Sequence, residues 1–158
     1  HLEKSYKVKA VEIDKNDFVY FNDESLESIS SLGFNDFLSQ NSDYDVILVD
    51  LNEGNVLEYC HDIVYLIEPG LIKLNKLIRQ DNAIFEKLSD KKIVLNRSVL
   101  SEKDVMDFEK ESGSKVFFNM PCLDDKLDDQ KIINIFLTNL GFSRVEENSS
   151  NGIFSIFK

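Results

Sequence analysis

Residues 43–55 read DYDVILVDLNEGN. Within them Val46, Ile47, Leu48 and Val49 form an unbroken apolar run, rich in β-branched side chains and without the polar alternation of a strand that faces water on one side. Such a run predicts a strand of a parallel sheet, buried on both faces. It ends in Asp50. Ligands of open parallel α/β sheets bind outside the carboxyl ends of the strands, so an acid placed there points into the crevice where chemistry is done. The fold turns on whether such strands recur, and the function on what ends them.

They do recur. Residues 6–13 predict an earlier strand, and NDFVYFND (16–23) a short strand or loop anchored by Phe18, Tyr20 and Phe21. Leu26, Ile29 and Leu32 keep helical spacing, Gly33 interrupts, and Phe34, Phe37 and Leu38 resume it, which predicts two short helices before the strand at 44–50. Residues 63–67 (IVYLI) predict the next buried strand, closed by Glu68-Pro69-Gly70. A long helix follows, with Leu74, Leu77, Ile78, Ile84, Phe85 and Leu88 on one broad face. Ile93-Val94-Leu95 predicts another core strand, ending in Asn96-Arg97. Ser101 with Asp104 three residues on resembles a capping box and opens a helix that stops near Gly113. Residues 115–119 predict a further strand, and Ile132, Ile133, Phe136, Leu137 and Leu140 a last helix closed by Gly141. Strands alternating with helices imply parallel βαβ units with right-handed crossovers. The expected fold class is α/β: a three-layer sandwich with a mainly parallel sheet, Rossmann-like in outline.

Composition narrows the function. The 158 residues suit one domain, and 42% hydrophobic residues are enough for a core. No apolar run approaches the roughly 20 residues that span a bilayer. The chain carries 29 acids against 18 bases, a formal charge of -11, which repels a phosphate backbone and disfavours nucleic-acid partners. Cys60 and Cys122 lie far apart, without metal spacing, and read as reduced thiols of a cytosolic protein. With only His1 and His61 available, a histidine-rich metal site and a Ser-His-Asp hydrolase are both disfavoured.

Four strand ends taken together resemble the ParA/MinD-like ATPases, in the branch that includes pilus-assembly ATPases: YDVILVDLNEG, DIVYLIEPGLIKLNKL, KIVLNR and KVFFNMP. These are P-loop NTPases with a deviant Walker A motif, and the resemblance covers about residues 6–125. It implies that the strand at 44–50 is Walker B, whose Asp50 holds the Mg²⁺ shell of a bound ATP. It further implies that Asn96 and Arg97 match the pair whose asparagine reads the adenine edge, an amide offering both a donor and an acceptor. The loop around Pro121 would flank the base. Asp14, in VEID, resembles the second acid of the family's DxD strand, near the attacking water, with Glu12 in place of the first. A homodimerising switch with protein partners in a cellular assembly (a pilus, a secretion or conjugation machine, or a division site) is the implied role.

The chain departs from that pattern in two places. None of its six glycines opens a G-x-x-x-x-G-K-[ST] loop, the backbone cradle that phosphates require. In the family that loop precedes the strand resembling residues 6–13, so this chain is expected to lack the first strand, the P-loop and most of the first helix. By itself it is expected neither to bind ATP tightly nor to hydrolyse it. Leu51-Asn52-Glu53-Gly54 also replaces the usual proline or small residues after the Walker B aspartate, which leaves open a degenerate pseudo-ATPase. The alternative is a non-catalytic signalling or scaffold module such as a receiver-like domain, since DVILVDLNEG also resembles a phospho-accepting strand. Against it, only residues 51–62 separate Asp50 from the next apolar run, and the strand end that should carry a lysine carries Asn96. The C-terminal NGIFSIFK resembles short membrane-touching tails, but its alternation favours an edge strand.

Overall fold

The structure, a computed structural model, describes residues 2–18, 26–51, 56–123 and 127–142. Its elements are β1 (Val8–Ile13), β2 (Leu26–Ile29), α1 (Phe34–Gln40), β3 (Val46–Asp50), β4 (Val64–Ile67), α2 (Leu71–Gln80), α3 (Ile84–Lys87), β5 (Lys92–Leu95), α4 (Glu102–Ser112), β6 (Val116–Asn119) and α5 (Leu127–Asn139). The protein is α/β, and every strand pairing among the described residues is parallel. The strands fall into two three-stranded sheets, ordered β2-β1-β3 and β4-β5-β6.

In the first sheet, alternation along β1 divides the labour between two faces. Val11 and Ile13 are fully buried with Phe34 and Phe37 of α1 and with Val56, and Ile47 and Val49 of β3 pack on the same cluster. The intervening residues Glu12, Leu48 and Asp50 therefore leave the opposite face, as period-2 geometry requires. Burial of β3 on both faces does not occur: Leu48 is 46% exposed. Leu48 lies on the face away from Phe34 and Phe37 of α1, on a strand that pairs on one side only among the described residues.

The segment expected to be the first of two short helices is β2. Ladder pairing with β1, Ala10 to Leu26 through Ile13 to Ile29, outweighs the helical spacing of Leu26 and Ile29. Leu32, the third member of that pattern, is 96% exposed in a 3₁₀ turn. Propensity is a weak prior, and a parallel partner strand overrides it.

In the second sheet β5 is buried on both faces, whereas Leu66 of β4 is 65% exposed, so the strand expected at 63–67 is not buried throughout. Ile67, Ile93 and Leu95 pack with Leu88 and, from the helices, Leu74, Leu77, Ile84, Phe85, Val105 and Phe108. Phe136 of α5 meets Phe117 and Phe118 with ring centroids 6.4 and 5.2 Å apart. The expected long helix after Gly70 is broken in two at Asp81, where an extended backbone (φ -146°, ψ 105°) follows Gln80. Asp81 Oδ1 accepts from Ala83 N at 3.1 Å, and such local side-chain bonding competes with helix continuation. The capping box at Ser101 and Asp104 forms as expected, and Gly113 closes α4 with φ 70°.

One contact ties α4 to β6. Glu109 Oε1 accepts from Val116 N at 2.8 Å and its Oε2 pairs with Lys115 Nζ at 2.9 Å. The Val116 N–H above all, with Lys115, holds the Glu109 carboxyl below its usual value. A carboxylate depressed in the folded state stabilises the fold above its unfolded pKa of about 4.3 and loses that contribution as pH falls through the folded value. Glu109→Gln is therefore expected to destabilise most near neutral pH, the gap to the parent narrowing below about pH 4. Urea midpoints across that range measure it.

Candidate functional site

Parallel pairing brings the C-terminal ends of the strands of each sheet to one edge, and the residues singled out from the sequence lie at those ends. In the first sheet, Glu12 of β1 is the register partner of both Ser28 on β2 and Asp50 on β3. These three side chains thus stand in one row on the face opposite α1.

Glu12 is the unusual member. It is wholly buried, and an ionisable side chain is rarely buried without full pairing. Its Oε1 accepts from Phe18 N at 2.9 Å and from the Ser28 hydroxyl. Its Oε2 is buried with no hydrogen-bond partner. Asp50, beside it, is half exposed, and Lys15 Nζ reaches both of its carboxylate oxygens at 3.0 Å.

The turn that delivers Lys15 is made by Asp14, which has φ 54°, a left-handed conformation that few residues other than glycine adopt but that aspartate tolerates. Asp14 N donates to Ile29 O at 2.9 Å, extending the β1–β2 ladder by one bond, and Asp14 Oδ1 accepts from Ser31 N at 3.1 Å. The Asp14 carboxylate thus braces the loop that follows β2.

The second group lies at the ends of β5 and β6. Asn96 N donates to Ile67 O, Met120 N to Leu95 O and Ser98 N to Met120 O, each at 2.8 Å. These bonds set the Asn96-Arg97 turn beside the Met120-Pro121 segment. Arg97 also takes a positive φ, 52°, and its side chain is exposed. Asn119 Nδ2 donates to Leu100 O at 3.1 Å, and its Oδ1 is buried without a partner. Both unpartnered buried acceptors of the described residues, Glu12 Oε2 and Asn119 Oδ1, therefore sit at carboxyl ends of parallel strands.

The structure thus gathers Asp14 and Asp50 in one group and Asn96, Arg97 and Pro121 in another, and no hydrogen bond or ion pair among the described residues joins the two. Glu53 lies outside the described residues, as does the NGIFSIFK tail. Sequence reasoning gave Glu12 only as a replacement and passed over Lys15 and Asn119. An acid inside the apolar run KAVEI was the available signal for Glu12.

Asp50 offers carboxylate oxygens of the kind a hard divalent cation takes; both meet Lys15 Nζ, and the Oε2 of its register partner Glu12 is buried. No group of three or more His, Cys, Asp or Glu residues that could hold a metal occurs among the described residues. A Mg²⁺ ion held at Asp50 would need water and phosphate for most of its shell, as is common beside nucleotides. Cys60 and Cys122 are free, and burial pushes the Cys60 thiol up, away from the reactive thiolate. No described helix is long and apolar enough to cross a membrane. No protein-family model matches the chain, and no curated protein matches it in sequence.

Glu12→Ala removes the acceptor of a part-buried N–H and a hydroxyl, and its expected cost is about 1–3 kcal/mol. Glu12→Gln retains an oxygen for both donors and costs less. Chemical denaturation of the two variants measures the difference, and an Ala variant as stable as the parent would show that the buried carboxylate organises nothing.

Proposed function

We propose that this chain is the Walker B-bearing part of a ParA/MinD-like nucleotide switch, in which Asp50 holds the hydrated Mg²⁺ of a bound ATP. The observation that supports this reading is the row at the first sheet's carboxyl edge, an exposed aspartate in register with a buried glutamate whose second oxygen has no partner. A hydrated divalent cation is a species that the exposed Asp50 carboxylate would take. When bound, Mg²⁺ draws phosphate oxygens together and offsets their charge.

Asn96, Arg97 and Pro121, held together by the β5–β6 bonds, would flank the adenine. Asn96 would read its edge, with the Asn119 amide oxygen as a further acceptor close by in sequence to Pro121. The phosphate cradle is not encoded in these residues and would come from a Walker A segment upstream of them. The switch would homodimerise and act on an assembly machine in the cytosol, and the charge of -11 on these residues disfavours nucleic acid as a partner.

Calorimetric titration of Mg-ATP into this chain, and into a version extended upstream, tests the proposal. Binding is expected in the extended form alone, weakened at least about tenfold by Asp50→Ala, a loss of about 1.4 kcal/mol. Absence of binding in both forms would contradict a nucleotide switch and favour an α/β interaction module.

A further inference from the structure

The Asp50 carboxylate already carries a cation of the protein's own. Lys15 Nζ lies 3.0 Å from each of its oxygens, a charge-assisted contact that uses the acceptor sites a hydrated divalent ion would use. The Lys15 side chain is only 22% exposed, against 50% for Asp50, so its stem lies along the protein and its ammonium is delivered rather than trailing in solvent. The delivery is built into the backbone: Asp14 turns the chain at a positive φ and is pinned by Ile29 O and Ser31 N. Non-glycine residues in that region persist where surrounding bonds over-determine them, as they do here.

From this arrangement we infer that Lys15 is a resident counter-cation, which a divalent ion must displace from Asp50 before it can bind. The inference rests on the reading of Asp50 as the cation-binding residue and adds a regulatory element to it. Among the described residues, Lys15 and Asp50 meet at the contested position, and Glu12, the register partner of Asp50, has a buried Oε2 with no hydrogen-bond partner. With Lys15 in place the cluster is one negative charge poorer than the carboxylates alone, and a divalent ion gains correspondingly less Coulomb energy on arrival. Displacement exchanges one ammonium for one hydrated dication, with no covalent change. Asp14 is then a positioning residue for the lysine.

The test is Mn²⁺ binding to this chain, followed by the loss of the free-ion electron paramagnetic resonance signal, in the parent, Lys15→Met, Lys15→Arg and Asp50→Asn proteins. Thermal melts verify that each variant is folded. Methionine keeps the stem and removes the charge, so Lys15→Met is expected to bind Mn²⁺ at least about fivefold more tightly than the parent. Lys15→Arg, which keeps a charge in the same place, stays within about twofold of the parent, and Asp50→Asn weakens binding. If Lys15→Met binds no more tightly than the parent while Asp50→Asn still weakens binding, the counter-cation role is overturned and the Asp50 site stands. If Asp50→Asn leaves binding unchanged as well, both the inference and the reading beneath it fail.

Discussion

The arrangement depends on one constraint, the register that sets Glu12 of β1 directly between Ser28 and Asp50. Taking a carboxylate out of water is expensive unless its oxygens are met. Glu12 has one oxygen met twice, by a loop N–H and a hydroxyl, and one not met at all. A one-residue slip of β1 would send Glu12 into the apolar cluster around Phe34 and Phe37 and bring Val11 or Ile13 out. The hydrophobic pattern therefore fixes the register, and the register fixes the acidic row. Core packing and candidate chemistry are two consequences of the same alternation.

The second sheet repeats the logic with different chemistry. Ladder bonds from Asn96, Ser98 and Met120 run on past the strands and hold two loops side by side. There the unmet acceptor is a neutral amide oxygen, that of Asn119. A carboxylate accepts hydrogen bonds or cations, whereas an amide offers both a donor and an acceptor. Both unmet acceptors of the described residues thus lie at carboxyl ends of parallel strands, the edge where such folds keep their ligands.

Much of this was legible in the chain. The apolar runs at 46–49, 64–67 and 93–95, the Ser101 capping box and the terminal acids and amides all lie where composition and period placed them. What escaped was set by tertiary context. Leu26 and Ile29 have helical spacing yet pair as a strand, because β1 offers a ladder that no local propensity reveals. Leu48 belongs to a run with an interior pattern but sits at a sheet edge covered on one face, and cover is a property of other elements. Asp81 broke a helix whose apolar periodicity ran on, through a single side-chain bond to Ala83 N. Lys15 was passed over because its partner lies 35 residues away in sequence, and only the φ of Asp14 aims it there.

In the proposed reading the ends of β1 and β3 form the cation-binding position of this acidic chain. Acids are spread over its whole surface, Asp43, Asp45 and Asp62 among them, so a bound ion must be located as well as detected. Paramagnetic broadening of amide resonances in the ¹⁵N-labelled protein, during stepwise addition of Mn²⁺, does both. With the ion at Asp50, the amides of residues 12–15, 28–31 and 49–51 broaden first and together. Broadening that begins around Asp43 and Asp45, or that spreads evenly over the acidic surface, would contradict it.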